Sequence, residues 1–336
     1  MDQRLFDRAY GCLMGVAVGD AMGMPSSLMT PAEIHRQIGY IDRFLPAPPG
    51  HFIHDGLPAG STTDDTAQTL AVARAIINDK GKVVPETVAR EILAWAESAG
   101  ALKEGALVLG PSSRAALKLL RDGASPAEAG KFGETNGASM RISPVGIIHP
   151  GDLYGAVADT ELCCLPTHGT SVAISGAAAV SCAIASAMDG AGSPEEVVNA
   201  AVRGAELGAT RGRAVAAPSI ARRIRWAVDM ALSRSDEVAA ACRDLYELVG
   251  TTVATTETVP VALALFALAG GDPIRIAILA ANMGGDCDTI GAVACSIAGA
   301  YAGISAFPEE TIHIIEQVNN LGLKDVALSL LSTLPG

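Results

Sequence analysis

The sequence predicts an all-α protein that forms a single domain over residues 1–336. Helical periodicity of apolar residues recurs along almost its whole length, and no segment keeps the strict alternation of a half-buried strand. Alanine and glycine are abundant (36 glycines) while aromatics make up only 4%. A core of that kind suits helices whose backbones approach one another closely. No repeat, low-complexity tail or linker divides the chain.

The first helix is read over 3–18, with Leu5, Ala9, Cys12, Leu13 and Val16 on one stripe. Residues 41–63 are irregular and rich in Pro and Gly, and a loop of that length in a compact domain is usually functional. It delivers the chain to a helix over 64–79, where Ala67, Leu70 and Ala71 recur at helical spacing and Lys80–Gly81 is the stop signal. Further helices are read over 84–98, 111–122, 170–188, 194–208, 218–232, 235–249, 259–270, 273–282, 288–303, 309–320 and 324–333. Ser125–Pro126 and Ser193–Pro194 are N-terminal caps.

The net charge of −12 disfavours a free-standing nucleic-acid binder, which needs the opposite sign, but is compatible with an acidic cation site. Seven cysteines, an odd number with no CxxC pair, point to reduced thiols and a cytoplasmic protein. The charged N-terminus lacks a signal peptide's apolar stretch. Residues 172–188 and 290–307 carry no charge, but Ala, Gly, Ser and Cys dominate them. They read as helices buried all round, not as membrane spans.

Two acidic motifs stand at helix starts. In Thr62-Thr63-Asp64-Asp65-Thr66 the carboxylates suit the free N–H groups and the macrodipole of a helix N-terminus. One cap needs one side chain, and this segment offers five with oxygens. Either Thr63 or Asp64 is simply the N-cap, or the group is half of a metal site. In Gly284-Gly285-Asp286-Cys287-Asp288-Thr289-Ile290-Gly291, two more carboxylates and a threonine precede a helix that is apolar all round. Carboxylates on a buried helix start are expensive unless a cation or donor neutralises them. Together the motifs offer four aspartates and two threonines, hard oxygen ligands of the kind that hold Mg2+, Mn2+ or Ca2+. Three further signals are weaker. Asn136-Gly137-Ala138-Ser139-Met140-Arg141 reads as a turn with an arginine or as a ligand loop. Thr167-His168-Gly169 reads as a cap or core histidine. Gly15, Gly19 and Gly23 read as close helix packing, with Asp20 as a helix-end residue.

GDAMG, TDDT, NGASMR, TH and GGDCDTIGA stand in the order and rough spacing of the ADP-ribosylglycohydrolase family, which the chain resembles from about residue 6 to 305. The resemblance implies an all-α orthogonal helical bundle with two Mg2+ or Mn2+ ions in a cleft. Matched motif by motif, it implies Thr63, Asp64, Asp65, Asp286, Asp288 and Thr289 as metal ligands. It also implies Asn136, Gly137, Ser139, Met140, Arg141 and His168 as substrate contacts. The implied reaction is hydrolysis of an N- or O-glycosidic bond at the anomeric carbon of a ribose, with Asp65 or Asp288 orienting or deprotonating the water.

The chain departs from the family after GDAMG. Where many members carry a glutamate, Met24-Pro25-Ser26-Ser27 places Ser27. That departure bears on the substrate, protein-linked or small, more than on the metals. Tyr301, Phe52 and Phe132 are the aromatics available to an adenine. A smaller N-riboside is the rival substrate, and a two-metal phosphohydrolase and a non-catalytic binding protein are the rival functions. The expected state is a monomer or small homo-oligomer.

Overall fold

The computed structural model describes residues 2–334, so Met1, Pro335 and Gly336, the ends of the expected domain, lie outside the described residues. Among the described residues, eighteen α-helices and a few single 3-10 or π turns account for the regular structure. Among the described residues there are no strands, only isolated bridges such as Met29 with Gly285. The predicted fold class is the observed one.

The centre of the molecule is a pair of helices, Gln3–Gly23 and Cys287–Ala302, packed side by side. Their contact is made through glycine. A Cβ added at Gly11, Gly15, Gly19 or Gly23 would lie within 3.0 Å of the partner's backbone, at Gly299, Cys295, Gly291 and Cys287–Asp288 in turn. Those four glycines recur every four residues, so they form one row on the first helix. The same row explains why that helix runs five residues past its expected end at 18. Glycine costs a helix interior roughly 1 kcal/mol against alanine, but here each one permits a close approach that buries apolar surface on both sides. The helix stops only at Met24–Pro25, where the chain tightens into a 3-10 turn.

Most predicted helices start and stop within a few residues of their expected bounds. The helix expected over 259–270 starts four residues earlier, Thr255–Leu268, and carries Pro260 inside it. The segment expected over 235–249 is Val238–Asp244 followed by a π turn, Leu245–Val249. Leu153–Cys164 was not expected. It is capped by Asp152, whose carboxylate accepts from the Gly155 amide at 2.9 Å. The span Ser171–Asp189 is long and apolar enough to cross a membrane, but 89% of it is buried inside the fold, against Pro194–Gly208 and Leu153–Cys164 among others. All seven cysteines are free thiols.

Candidate functional site

Two helix N-termini meet at the floor of a cleft. Asp64–Asn78 begins with Thr63 as its N-cap, and Cys287–Ala302 begins with Asp286. Residues 224 positions apart touch there, where the Thr289 hydroxyl donates to Asp65 Oδ2 at 3.5 Å. Thr63 Oγ1 donates to the same oxygen at 3.2 Å. Gly284 and Gly285 deliver the second segment with φ of +89° and +82°, a region that L side chains rarely adopt. A Cβ on Gly285 would also run into Thr251. The Gly285 amide and carbonyl bond to Met29 and Leu28 at 2.8 and 2.7 Å, fastening Ser27's segment beside the site loop.

Asp64, Asp65, Asp286, Asp288 and Thr289 all line this cleft, with Ser27, Asn136, Gly137 and Met140. Thr63 stands at its edge, half-buried. Each carboxylate has a separate donor. Asn136 Nδ2 donates to Asp286 Oδ2 at 2.5 Å, and Gln68 Nε2 to Asp64 Oδ2 at 3.0 Å. Ser27 Oγ donates to Asp288 Oδ1 at 2.8 Å, and His54 Nε2 lies 3.2 Å from Asp288 Oδ2.

The predicted substrate residues divide. Asn136, Gly137, Met140 and Ser27 face the cleft, whereas Ser139, Arg141 and His168 lie one layer behind it. Ser139 is turned toward Gly176 of Ser171–Asp189. Arg141 is 0% exposed; it donates to Gln68 Oε1 at 2.7 Å and to the Thr167 hydroxyl. Because Gln68 also holds Asp64, the guanidinium reaches the acidic wall through an amide and not through a ligand. His168 is held between the hydroxyls of Thr135 at 3.0 Å and Thr167 at 2.7 Å, with its ring against the Cα side of Gly137. Burial, and secondarily the Arg141 charge, push its pKa well below the ordinary value and keep it neutral. Of the three aromatics, Phe52 stands at the cleft rim, 71% exposed. Phe132 lies under Arg213, and Tyr301 packs edge-on against Phe266.

Two site residues were not expected. Asp20, 0% exposed, accepts from the Thr63 amide at 2.9 Å, the Thr66 amide at 3.1 Å and the Thr66 hydroxyl at 2.5 Å. It anchors the acidic turn to the first helix. The signal was present in its place beside the glycine row, one residue after Gly19. His54 comes from the long irregular loop, whose length marked it as functional without pointing to a residue.

The electrostatics are those of uncompensated acid. Burial first, then neighbouring carboxylates, raise Asp65 and Asp286 well above the ordinary range. Asp64 is pushed up to about 7 by burial and by Asp288 and Asp20. Burial lifts Asp20 to about 6 against its bonds from Thr66 and Thr63. Asp288 differs: burial would raise it, but His54, Ser27 and the Thr289 amide outweigh that and hold it below its usual value. Among the described residues, no lysine or arginine lines the cleft.

Among the described residues, no three Asp, Glu, His or Cys side chains converge into a ready-made cage. Beyond the effect of burial, the carboxylates are close enough to raise one another's pKa, Asp286 and Asp288 above all, and each also has its own donor. The residues nonetheless fit hard divalent cations. The predicted donors are all oxygens, and Asp65 Oδ1 is buried with no partner at all.

Comparison with known proteins identifies the family. The sequence model described as ADP-ribosylglycohydrolase matches residues 1–334. The uncharacterized protein YegU of Escherichia coli K12 is 38% identical over 325 residues, covering 96% of each chain. The ADP-ribosyl-[dinitrogen reductase] glycohydrolase of Rhodospirillum rubrum is 32% identical over 151 residues, 44% of this chain and 47% of that protein. A solved structure described as an ADP-ribosylglycohydrolase-related protein complex superposes with a TM-score of 0.70, covering 98% of both chains at 24% identity, which shows the shared fold. The chain belongs to the ADP-ribosylglycohydrolase family and is an enzyme that hydrolyses glycosyl bonds.

Proposed function

We propose that this enzyme removes ADP-ribose from a modified protein or small molecule, cutting an N- or O-glycosidic bond at the anomeric carbon with the help of two Mg2+ or Mn2+ ions. The observation that supports it best is the joining of Asp64–Asp65 to Asp286–Asp288 across a cleft with no basic side chain but a histidine. Thr63, Asp64, Asp65, Asp286, Asp288 and Thr289 would hold the ions. When bound, such cations polarise oxygen atoms and lower the pKa of water.

The chain's own residues do the rest. Asp65 Oδ1, unpartnered and buried, is the oxygen free to orient a water and accept its proton. The four carboxylates favour the positive charge that develops on a ribose ring as its glycosidic bond breaks. His168, neutral and held by two threonines, supports Gly137 and Thr135 from behind, so that they keep the opposite wall in place. Phe52 presents an exposed ring at the rim on which a base can stack. The reading puts the enzyme in the cytoplasm, as a monomer or small homo-oligomer built on one domain, with a ribosyl compound as its partner.

A smaller N-riboside is a second reading, and the size of the cleft favours it. Its volume is about 200 Å³, below the ~300–1,000 Å³ usual for drug-sized ligands. Ser27, spent on Asp288, offers no acid to a larger substrate.

The test is a side-by-side assay of ADP-ribosyl-arginine, ADP-ribosyl-serine and simple nucleosides with Mg2+ and with Mn2+. Release of free ADP-ribose supports the first reading and release of ribose the second. Inorganic phosphate as the product, or no cation binding at millimolar concentration by calorimetry, overturns both.

A further inference from the structure

We propose that His54 is a positioning residue for Asp288, the carboxylate that takes up a divalent cation; this rests on the metal-dependent reading above. Asp288 accepts three hydrogen bonds, two on Oδ1 from the Ser27 hydroxyl at 2.8 Å and the Thr289 amide at 3.1 Å, and one on Oδ2 from His54 at 3.2 Å. A carboxylate has about four acceptor positions. The remaining one is on Oδ2, the oxygen that His54 holds. The imidazole therefore determines the direction in which the last lone pair of Asp288 faces.

His54 is built for that task. It is 5% exposed and lines the cleft. Its ring stacks on His51 with centroids 5.1 Å apart and planes 29° from parallel. His51 Nδ1 accepts the backbone amides of Ile53 and His54 at 3.2 and 3.0 Å, so one histidine fixes the backbone and ring of the other. The loop that carries both is pinned at each end. Asn282 bonds the Ile41 amide and carbonyl at 2.9 and 2.7 Å, and Asn319 bonds the Thr62 amide at 3.0 Å. Within it, the Ala47 amide reaches the Leu57 carbonyl at 3.0 Å, and the Gly50 amide reaches Asp55 at 2.9 Å. Twenty residues of irregular chain are thus ordered around one donor. Partners that orient a metal-ligating side chain typically change metal affinity 10–100-fold when removed.

Side-chain stereochemistry supplies the test. A glutamine amide occupies nearly the position of the histidine Nε2, whereas an asparagine amide occupies that of Nδ1. Metal-stripped full-length His54→Gln, His54→Asn and His54→Leu are titrated with Mn2+ and with Mg2+ by calorimetry, next to wild type and Asp288→Ala. Circular dichroism checks helicity for each. We expect Asn and Leu to weaken the cation 10-fold or more and Gln to stay within about threefold of wild type. If Gln falls as far as Asn, or if Asn and Leu both bind as wild type, the inference is overturned. Should Leu fail to fold, the Gln–Asn pair alone decides. Unchanged binding in Asp288→Ala would instead remove the metal reading itself, which separates the two failures.

Discussion

Asp20 and Asp65 are both buried carboxylates, and substitution should affect them in opposite ways. Asp20 receives two backbone amides and a hydroxyl, all buried or half-buried. Asp20→Ala strands those donors, and each unsatisfied buried group costs about 1–3 kcal/mol. In EDTA its urea midpoint should fall by the equivalent of at least ~2 kcal/mol. Asp65 is close to Asp64, Asp286 and Asp288, and its Oδ1 bonds nothing. Asp65→Ala should leave the metal-free midpoint equal to or above wild type, because it removes a repelled charge. The same variant should lose cation binding and hydrolysis by at least about 100-fold. A lowered midpoint for Asp65→Ala would make that residue a structural cap and nothing more. The six acidic and hydroxyl residues at the floor were legible in the sequence because their chemistry is local: too many oxygens at two helix starts. Ser139, Arg141 and His168 lie behind the cleft: on the short Gly137–Met140 helix Gly137 and Met140 share the cleft face while Ser139 turns away, Arg141 follows as its C-cap, and His168 comes from a separate segment held by Thr135 and Thr167. Which side faces the cleft is decided by tertiary packing. His54 carried no local signal, since its partner Asp288 is 234 residues away.

At the scale of helices, the cleft depends on a glycine row that contributes no side chain to it. Gly15 and Gly19 face the backbones of Cys295 and Gly291, and a Cβ added at Gly23 would come within 2.5 Å of Asp288 N. A methyl group at Gly19 has no flexible side chain to push aside, only main chain. Gly19→Ala should cost about 1–3 kcal/mol or more by overpacking, read from thermal or urea unfolding. It should also weaken Mn2+ binding, because the Cys287–Ala302 helix must move to accommodate it, carrying Asp286 and Asp288 away from Asp65. Gly11→Ala, about two turns farther from the site, should destabilise comparably and affect binding less. Equal binding losses in the two would show that the row does not set the site's spacing. Helix bounds were legible wherever Pro, Ser or Asp caps them, as at Ser193–Pro194. They failed where tertiary contact overrode local preference, as with Pro260 inside Thr255–Leu268 and the extra turn of the first helix.

The whole molecule should be sensitive to pH in a way that reports the acidic floor. Asp20, Asp64, Asp65 and Asp286 all have folded pKa values above their ordinary value of 3.8, with Asp20 at about 6 and Asp64 at about 7. Between roughly pH 4 and 7 the folded chain thus binds more protons than the unfolded one, and stability falls as pH rises through that window. His54 acts in the same direction: its raised pKa contributes stability that is present below its ordinary 6.5 and lost on further titration. Asp288 opposes them where pH falls toward its lowered value, and His168 and His51, whose burial lowers their pKa, oppose them below about 6.5, but the four raised carboxylates outnumber these groups. In EDTA the melting temperature should therefore be higher at pH 5 than at pH 8. With millimolar Mg2+ or Mn2+ the difference should shrink or reverse, since cations displace those protons. A higher melting temperature at pH 8 in EDTA would mean the floor is compensated by charges not identified as such. The all-α class was legible at this scale because one period recurs through the chain. How the two acidic segments meet was not, since the helices that carry them begin 223 positions apart.

The glycine row has a consequence for how this gene can change length. Inserting or deleting one residue in the first helix rotates everything beyond it by about 100°. The glycines past that point would leave the seam and larger side chains would enter it. Asp20, carried on the same turn, would swing away from Thr63 and Thr66. Point replacements at the exposed start of the helix carry no such penalty, since Asp2, Gln3 and Arg4 lie outside the seam. Between Gly11 and Gly23 the helix can accept an altered count only if Cys287–Ala302 changes with it.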